Sequence, residues 1–133
     1  MSLITRHGMM LLALLACAVT VQAAQPSKDS LPVVKQNLES GKAVLLDVRE
    51  MDEWQMGHLA AASLLPLSRI ERGVSADQLN QFVPGDKIIY LHCAYGSRSV
   101  SAAGLLQKTG RDVRALSQGY DDLLKFGFRP ATK

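Results

Sequence analysis

Apolar positions along this chain change their spacing repeatedly, and each change marks an element. Leu31, Val34 and Leu38 fall on one helical face, and Gly41 follows as a stop. Ala43 to Leu46 is an unbroken apolar run ending at Asp47, which suits a buried strand. Glu50 to Met56 fits a short helix closed by Gly57. Ser63 to Leu67 reads as a short strand with Pro66 near its end. Ser75 is a candidate N-cap for a helix carrying Leu79 and Phe82, and Gly85-Asp86 is a turn. Lys87 to His92 follows as a strand, and Arg98 to Lys108 as a helix rich in small residues that Gly110 ends. Val113 to Leu116 is a last strand and Gly119 to Phe126 a last helix.

Strands and helices therefore alternate. That pattern predicts an α/β fold, with a mostly parallel central sheet covered by helices on both faces. Ligands of such sheets bind outside the carboxyl ends of the strands. Asp47 and Cys93 both fall at such ends. The chain shows no internal repeat and no low-complexity segment.

The first two dozen residues do not join this pattern. Arg6 and His7 precede an uncharged apolar run from Met9 to Val21, and Val21-Gln22-Ala23 offers small residues at a cleavage site. This layout predicts a secretory signal over residues 1–23 and one mature domain over 24–133. The run is 13 residues long, against the ~20 that a membrane span needs. No stable span is therefore expected after cleavage, and the protein is expected to be periplasmic or secreted. Leu14-Leu15-Ala16-Cys17 offers a second reading, a lipoprotein anchored at Cys17, although Ala18 to Val21 stay apolar.

Composition adds little beyond exclusions. Of 133 residues, 47% are hydrophobic and 20% charged, which argues against disorder. Losing Arg6 with the leader takes the formal net charge from +3 to +2, too mild and dispersed to argue for nucleic acid. Cleavage also removes Cys17, so Cys93 becomes the one cysteine of the mature chain. No metal site is expected, since no set of His, Cys or carboxylates has ligand spacing.

The candidate chemistry lies in Cys93-Ala94-Tyr95-Gly96-Ser97-Arg98-Ser99. A cysteine ends a strand, a glycine-containing loop follows, and a helix starts. The positive end of that helix and inward-turned N–H groups favour a thiolate. Gly96 lets the loop bend. Ser97 and Ser99 can cap the helix or donate to an anion. Arg98 supplies a permanent charge with a fork of donors suited to a sulfo or phosphoryl group. Ala94 and Tyr95 complete the loop. A buried structural cysteine is the alternative reading of Cys93. His92 is adjacent, but successive strand side chains point to opposite faces, so it is expected to pack rather than act as base. His58 is expected to bond local backbone, Trp54 to pack, and Asp47-Val48-Arg49-Glu50 to tie loops together by caps and ion pairs.

These residues resemble the rhodanese, or sulfurtransferase, family. Leu45 to Glu50, Glu53-Trp54, Gly57-His58-Leu59 and Ala61 to Leu67 look like its first signature. Cys93 to Ser99 looks like its active-site loop, and Leu116 to Gly119 with the helix through Leu124 and Gly127 like its C-terminal signature. Ser117 and Gln118 depart from it where glycines are frequent, and Leu123 where Trp is common. The resemblance implies a rhodanese-like three-layer sandwich and a thiosulfate sulfurtransferase that uses no cofactor. Cys93 would attack the outer sulfur of thiosulfate, release sulfite, and carry a persulfide held by the loop's N–H groups. Cyanide, a small thiol or a protein thiol would then accept the sulfur. Arg98 would hold the sulfonate, with Ala94, Tyr95, Gly96, Ser97 and Ser99 around it.

Related cysteine phosphatases place the arginine one residue further on, and mercaptopyruvate-type enzymes carry glycine directly after the cysteine. Ala94 and the position of Arg98 fit neither pattern. A persulfide relay module for a partner protein, slow with small donors, is the second reading. A phosphatase or arsenate-type reductase is the third.

Overall fold

The computed structural model describes residues 23–133. The expected leader and Cys17 lie outside the described residues, apart from Ala23 at its end. Four strands, β1 (Ala43–Asp47), β2 (Ala62–Leu64), β3 (Ile88–His92) and β4 (Val113–Ala115), form a sheet in the order β2-β1-β3-β4. Every pairing between them is parallel. Six helices accompany them among the described residues: α1 (Leu31–Glu39), α2 (Met51–Met56), α3 (Leu67–Arg72), α4 (Ala76–Phe82), α5 (Ser97–Leu106) and α6 (Tyr120–Phe126).

Strand alternation divides the core in two. Leu46, Ile89, Leu91 and Cys93 pack with α3, α4 and α5 through Ile70, Leu79, Ala102, Ala103 and Leu106. Ala43, Leu45 and Tyr90 pack with α1 and α6 through Val34 and Leu123. Neighbouring residues of β1 and β3 thus serve opposite clusters, because successive side chains leave a strand on opposite sides. Both faces are covered, which is why these strands read as continuous apolar runs. Among the described residues no helix is long and apolar enough to cross a membrane.

Two expected elements are corrected. The strand expected over Ser63–Leu67 is split: β2 ends at Leu64, and α3 starts at Leu67 with Pro66 as its N-cap. Proline has no amide hydrogen to lose at a helix start, and its φ of −59° leads into one. The Leu65 and Leu67 amides donate to Asp47 and Val48 carbonyls, which extends the pairing to β1 past the end of β2. The helix expected to run to Lys108 ends at Leu106 and tightens into a 3₁₀ turn over Gln107–Thr109. Ser75 does cap α4: its hydroxyl accepts from the Gln78 amide while Gln78 accepts from the Ser75 amide.

Candidate active site

The carboxyl ends of β1 and β3 lie side by side, with Asp47 paired to His92 in register. Cys93 directly follows β3 and leads into α5, whose N-cap is Gly96. Gly96 has φ +96°, a left-handed conformation that a side chain disfavours. A Cβ there would also lie 2.5 Å from the Ser117 carbonyl oxygen. The turn lets the Gly96 amide point back at the sulfur, donating to Cys93 Sγ at 3.0 Å.

A second strut comes from the turn between β4 and α6. The Tyr120 amide donates to the Cys93 carbonyl at 2.9 Å. A Cβ on Gly119 would overlap the Ala94 carbonyl oxygen, so this backbone approach demands glycine. Ser99 is buried, and its hydroxyl lies 2.7 Å from the Gly96 carbonyl and 2.9 Å from that of Leu116. Its one proton is taken by these carbonyls. Ser99 is therefore a brace between loop and turn, which corrects its expected place among anion donors. Ser97 is exposed, and so is Tyr95, at 89%.

Cys93 itself is 1% exposed. Of the inward-turned N–H groups expected around it, one among the described residues, that of Gly96, donates to Sγ, which otherwise sits with core side chains. Arg98, in the first turn of α5, is held in an ion pair. Its Nη1 and Nη2 donate to Glu53 Oε1 and Oε2 at 2.6 and 2.8 Å, and both side chains remain about a third exposed. Hydrogen bonding to Arg98 pulls the Glu53 carboxyl down to about 2, while Glu53 raises the Arg98 guanidinium further. A cavity of about 300 Å³ adjoins the pair, lined by Arg49, Glu53, Met56, Gly57 and Tyr120.

The Asp47–Glu50 segment forms the tie between loops that its residue types suggest. Asp47 is wholly buried and accepts from the Arg49 amide, Nε and Nη2, the last at 2.7 Å. Arg49 also donates to the Gly57 carbonyl and lies 4.2 Å over the Tyr120 ring. Glu50 accepts from the Ser68 amide and hydroxyl. His92 is buried on the face opposite Cys93. Its Nδ1 lies 3.3 Å from the Cys93 carbonyl, which fits a proton on Nδ1, and Nε2 has no hydrogen-bond partner. Burial lowers its pKa, outweighing the pull of Asp47. His58 Nδ1 meets the Trp54 carbonyl, and the two rings stack at 3.6 Å. Among the described residues no group of three or more His, Cys, Asp or Glu side chains is placed to hold a metal.

Sequence reasoning thus missed two site residues as such. Glu53 had a signal, its place in the first signature, but its bond to Arg98 spans 45 positions. Gly119 had one too, as a glycine directly before a helix.

Comparison with known proteins decides what this architecture is. A family model for the rhodanese-like domain matches residues 30–125. The chain belongs to the rhodanese-like domain family. It is 36% identical over 90 residues to the probable adenylyltransferase/sulfurtransferase MoeZ of Mycobacterium tuberculosis, covering 67% of this chain and 22% of that protein. It is 34% identical over 82 residues to the putative sulfur carrier protein YrkF of Bacillus subtilis, covering 61% of this chain and 41% of that one. The rhodanese domain thus spans about a fifth and two fifths of these relatives' lengths. Among solved structures it is similar to the human single-domain sulfurtransferase TSTD1, with a TM-score of 0.60 and 25% identity, covering 73% of this chain and 94% of that one.

Proposed function

We propose that this rhodanese domain is a sulfurtransferase in which Cys93 takes sulfane sulfur from thiosulfate or a similar donor and passes it to cyanide or a thiol. One observation carries the reading: Cys93 Sγ stands at the carboxyl end of β3 and the amino end of α5, with the Gly96 amide 3.0 Å away. An amide and a helix N-terminus stabilise negative charge on sulfur, whether thiolate or persulfide. The thiolate attacks the outer sulfur of thiosulfate. A bond forms between Sγ and that sulfur, the bond to the sulfonate sulfur breaks, and sulfite leaves with the electron pair. Charge balances without an oxidant or cofactor. An acceptor thiolate or cyanide then removes the outer sulfur and restores Cys93, which makes the kinetics ping-pong.

Mass spectrometry of the purified protein after thiosulfate treatment is expected to show one added sulfur on Cys93. Absence of the adduct, with thiocyanate formation unchanged in Cys93→Ser, refutes the assignment.

Two observations favour a second reading, a persulfide relay for a partner protein. Cys93 is 1% exposed, and Arg98 is already held by a carboxylate. Near-background turnover of thiosulfate and cyanide beside ready persulfide formation selects the relay. Export directed by residues 1–23, to a periplasmic or secreted place or to a lipid anchor at Cys17, is part of the proposal. The N-terminal mass of protein recovered from cells distinguishes these outcomes.

A further inference from the structure

We propose that Glu53 sets the donor preference of the Cys93 site: by clamping the Arg98 guanidinium, it disfavours doubly charged donors relative to alkyl hydropersulfides with uncharged tails. The inference rests on the sulfur-transfer reading above and names the donor class within it.

Arg98 is the one cation in the loop from Cys93 to Ser99. Its two terminal nitrogens are matched by the two oxygens of Glu53, at 2.6 and 2.8 Å. A guanidinium fork presents this two-point edge to one planar anion at a time. A sulfonate that takes the edge must displace Glu53, and the freed carboxylate then faces the incoming dianion. Glu53 is not free to swing far, because Oε1 also accepts from the Glu50 amide at 3.1 Å, which ties it to the start of α2. Within the pair, hydrogen bonding to Arg98 lowers its carboxyl to about 2, so it is ionised at neutral pH.

Among the described residues that line the adjoining cavity, Arg49 is the one cation. Arg49, the other guanidinium beside the cavity, is committed to Asp47 and the Gly57 carbonyl and lies over the Tyr120 ring. Met56, which lines the same cavity as Glu53, is 88% exposed and apolar.

A hydropersulfide, RS–SH, needs no guanidinium. The Cys93 thiolate attacks its terminal sulfur. The Sγ–S bond forms, the RS–S bond breaks with its electron pair, and RS⁻ leaves. The proton stays on the transferred sulfur, so one negative charge stands on each side of the step.

The test follows Cys93 persulfide formation in the purified protein, with thiosulfate or 2-mercaptoethanol hydropersulfide as donor over a range of concentrations. Glu53→Gln removes the charge and keeps an acceptor for the Glu50 amide. Its half-saturating thiosulfate concentration is expected to fall about fivefold, in keeping with a partly exposed ion pair, while that of the hydropersulfide moves by less than about twofold. Glu53→Asp, one methylene shorter, is expected to fall in between and carries the test alone if the glutamine variant does not fold. Thiosulfate half-saturation that is unchanged or raised, or equal shifts for both donors, overturns the role of Glu53 and leaves the sulfur-transfer reading standing. Wild-type Cys93 that takes sulfur from neither donor overturns that reading itself.

Discussion

Two arginine–carboxylate pairs stand at the sheet's carboxyl edge, and they are built for different purposes. Arg49 and Asp47 have side chains 6% and 0% exposed, while Arg98 and Glu53 remain 32% and 31% exposed. The first pair is two residues apart in sequence and closes on itself next to β1. The second joins α2 to the N-terminal turn of α5 across 45 positions. A buried charge without its partner has nowhere to recover solvation, whereas a half-exposed one turns to water. The inner pair therefore holds the carboxyl edge in shape, and the outer pair is the one a ligand can open.

The largest expected effect breaks the inner pair. Asp47→Ala strands the Arg49 guanidinium and should lower unfolding free energy by about 3–5 kcal/mol. Chemical denaturation, with the midpoint shifted and the slope unchanged, measures it. A double variant with Arg49→Met and Asp47→Leu should recover much of that loss. If Asp47→Ala costs no more than loss of the outer pair, the two pairs do not differ as described.

Next comes the outer pair, read from the arginine side. Arg98→Ala should change stability by less than about 1 kcal/mol. Cys93 persulfide formation from thiosulfate should drop by about tenfold or more, while alkylation of Cys93 by iodoacetamide drops less. Equal losses for both reagents mean that Arg98 supports the loop or the thiolate, not the anion.

The smallest effect separates the two regions by acid. His92 beside Asp47 has its pKa lowered by burial, so the unfolded chain binds a proton there more readily. Its contribution is fully present above the ordinary value of 6.5 and shrinks as pH falls below it, towards the lowered folded value. Glu53 behaves in the opposite range: its carboxyl falls from 4.5 to about 2, so its share survives until pH drops through that interval. Unfolding free energy measured from pH 7 to 5 should therefore decline in the wild type and decline less in His92→Gln. An unchanged slope in that variant removes His92 as the source.

The pattern of apolar runs carried most of the fold, because both faces of β1 and β3 are covered and leave an uninterrupted signature. The division between Leu65 and Leu67 did not show, since Pro66 suits the end of a strand as well as the start of a helix. At the site, Cys93 and its glycine turn are local features of neighbouring residues and were legible. The brace from Ser99, the close approach of Gly119 and the clamp from Glu53 join segments distant in sequence, and no spacing rule reveals them. Burial of Cys93 was hidden for the same reason: it depends on the core cluster that Cys93 shares with residues of α3, α4 and α5.

One small contact has a wider consequence. Pro26 bridges to Ala115 in parallel, with the Ser27 amide on the Ala115 carbonyl, and Leu59 bridges to Pro130. Pro26 thus guards the outer rim of β4 with a residue that has no amide hydrogen to offer a newcomer. A version trimmed to begin at α1 would lay that rim bare to another molecule's backbone, so the segment around Pro26 and Ser27 acts as a safeguard against clumping.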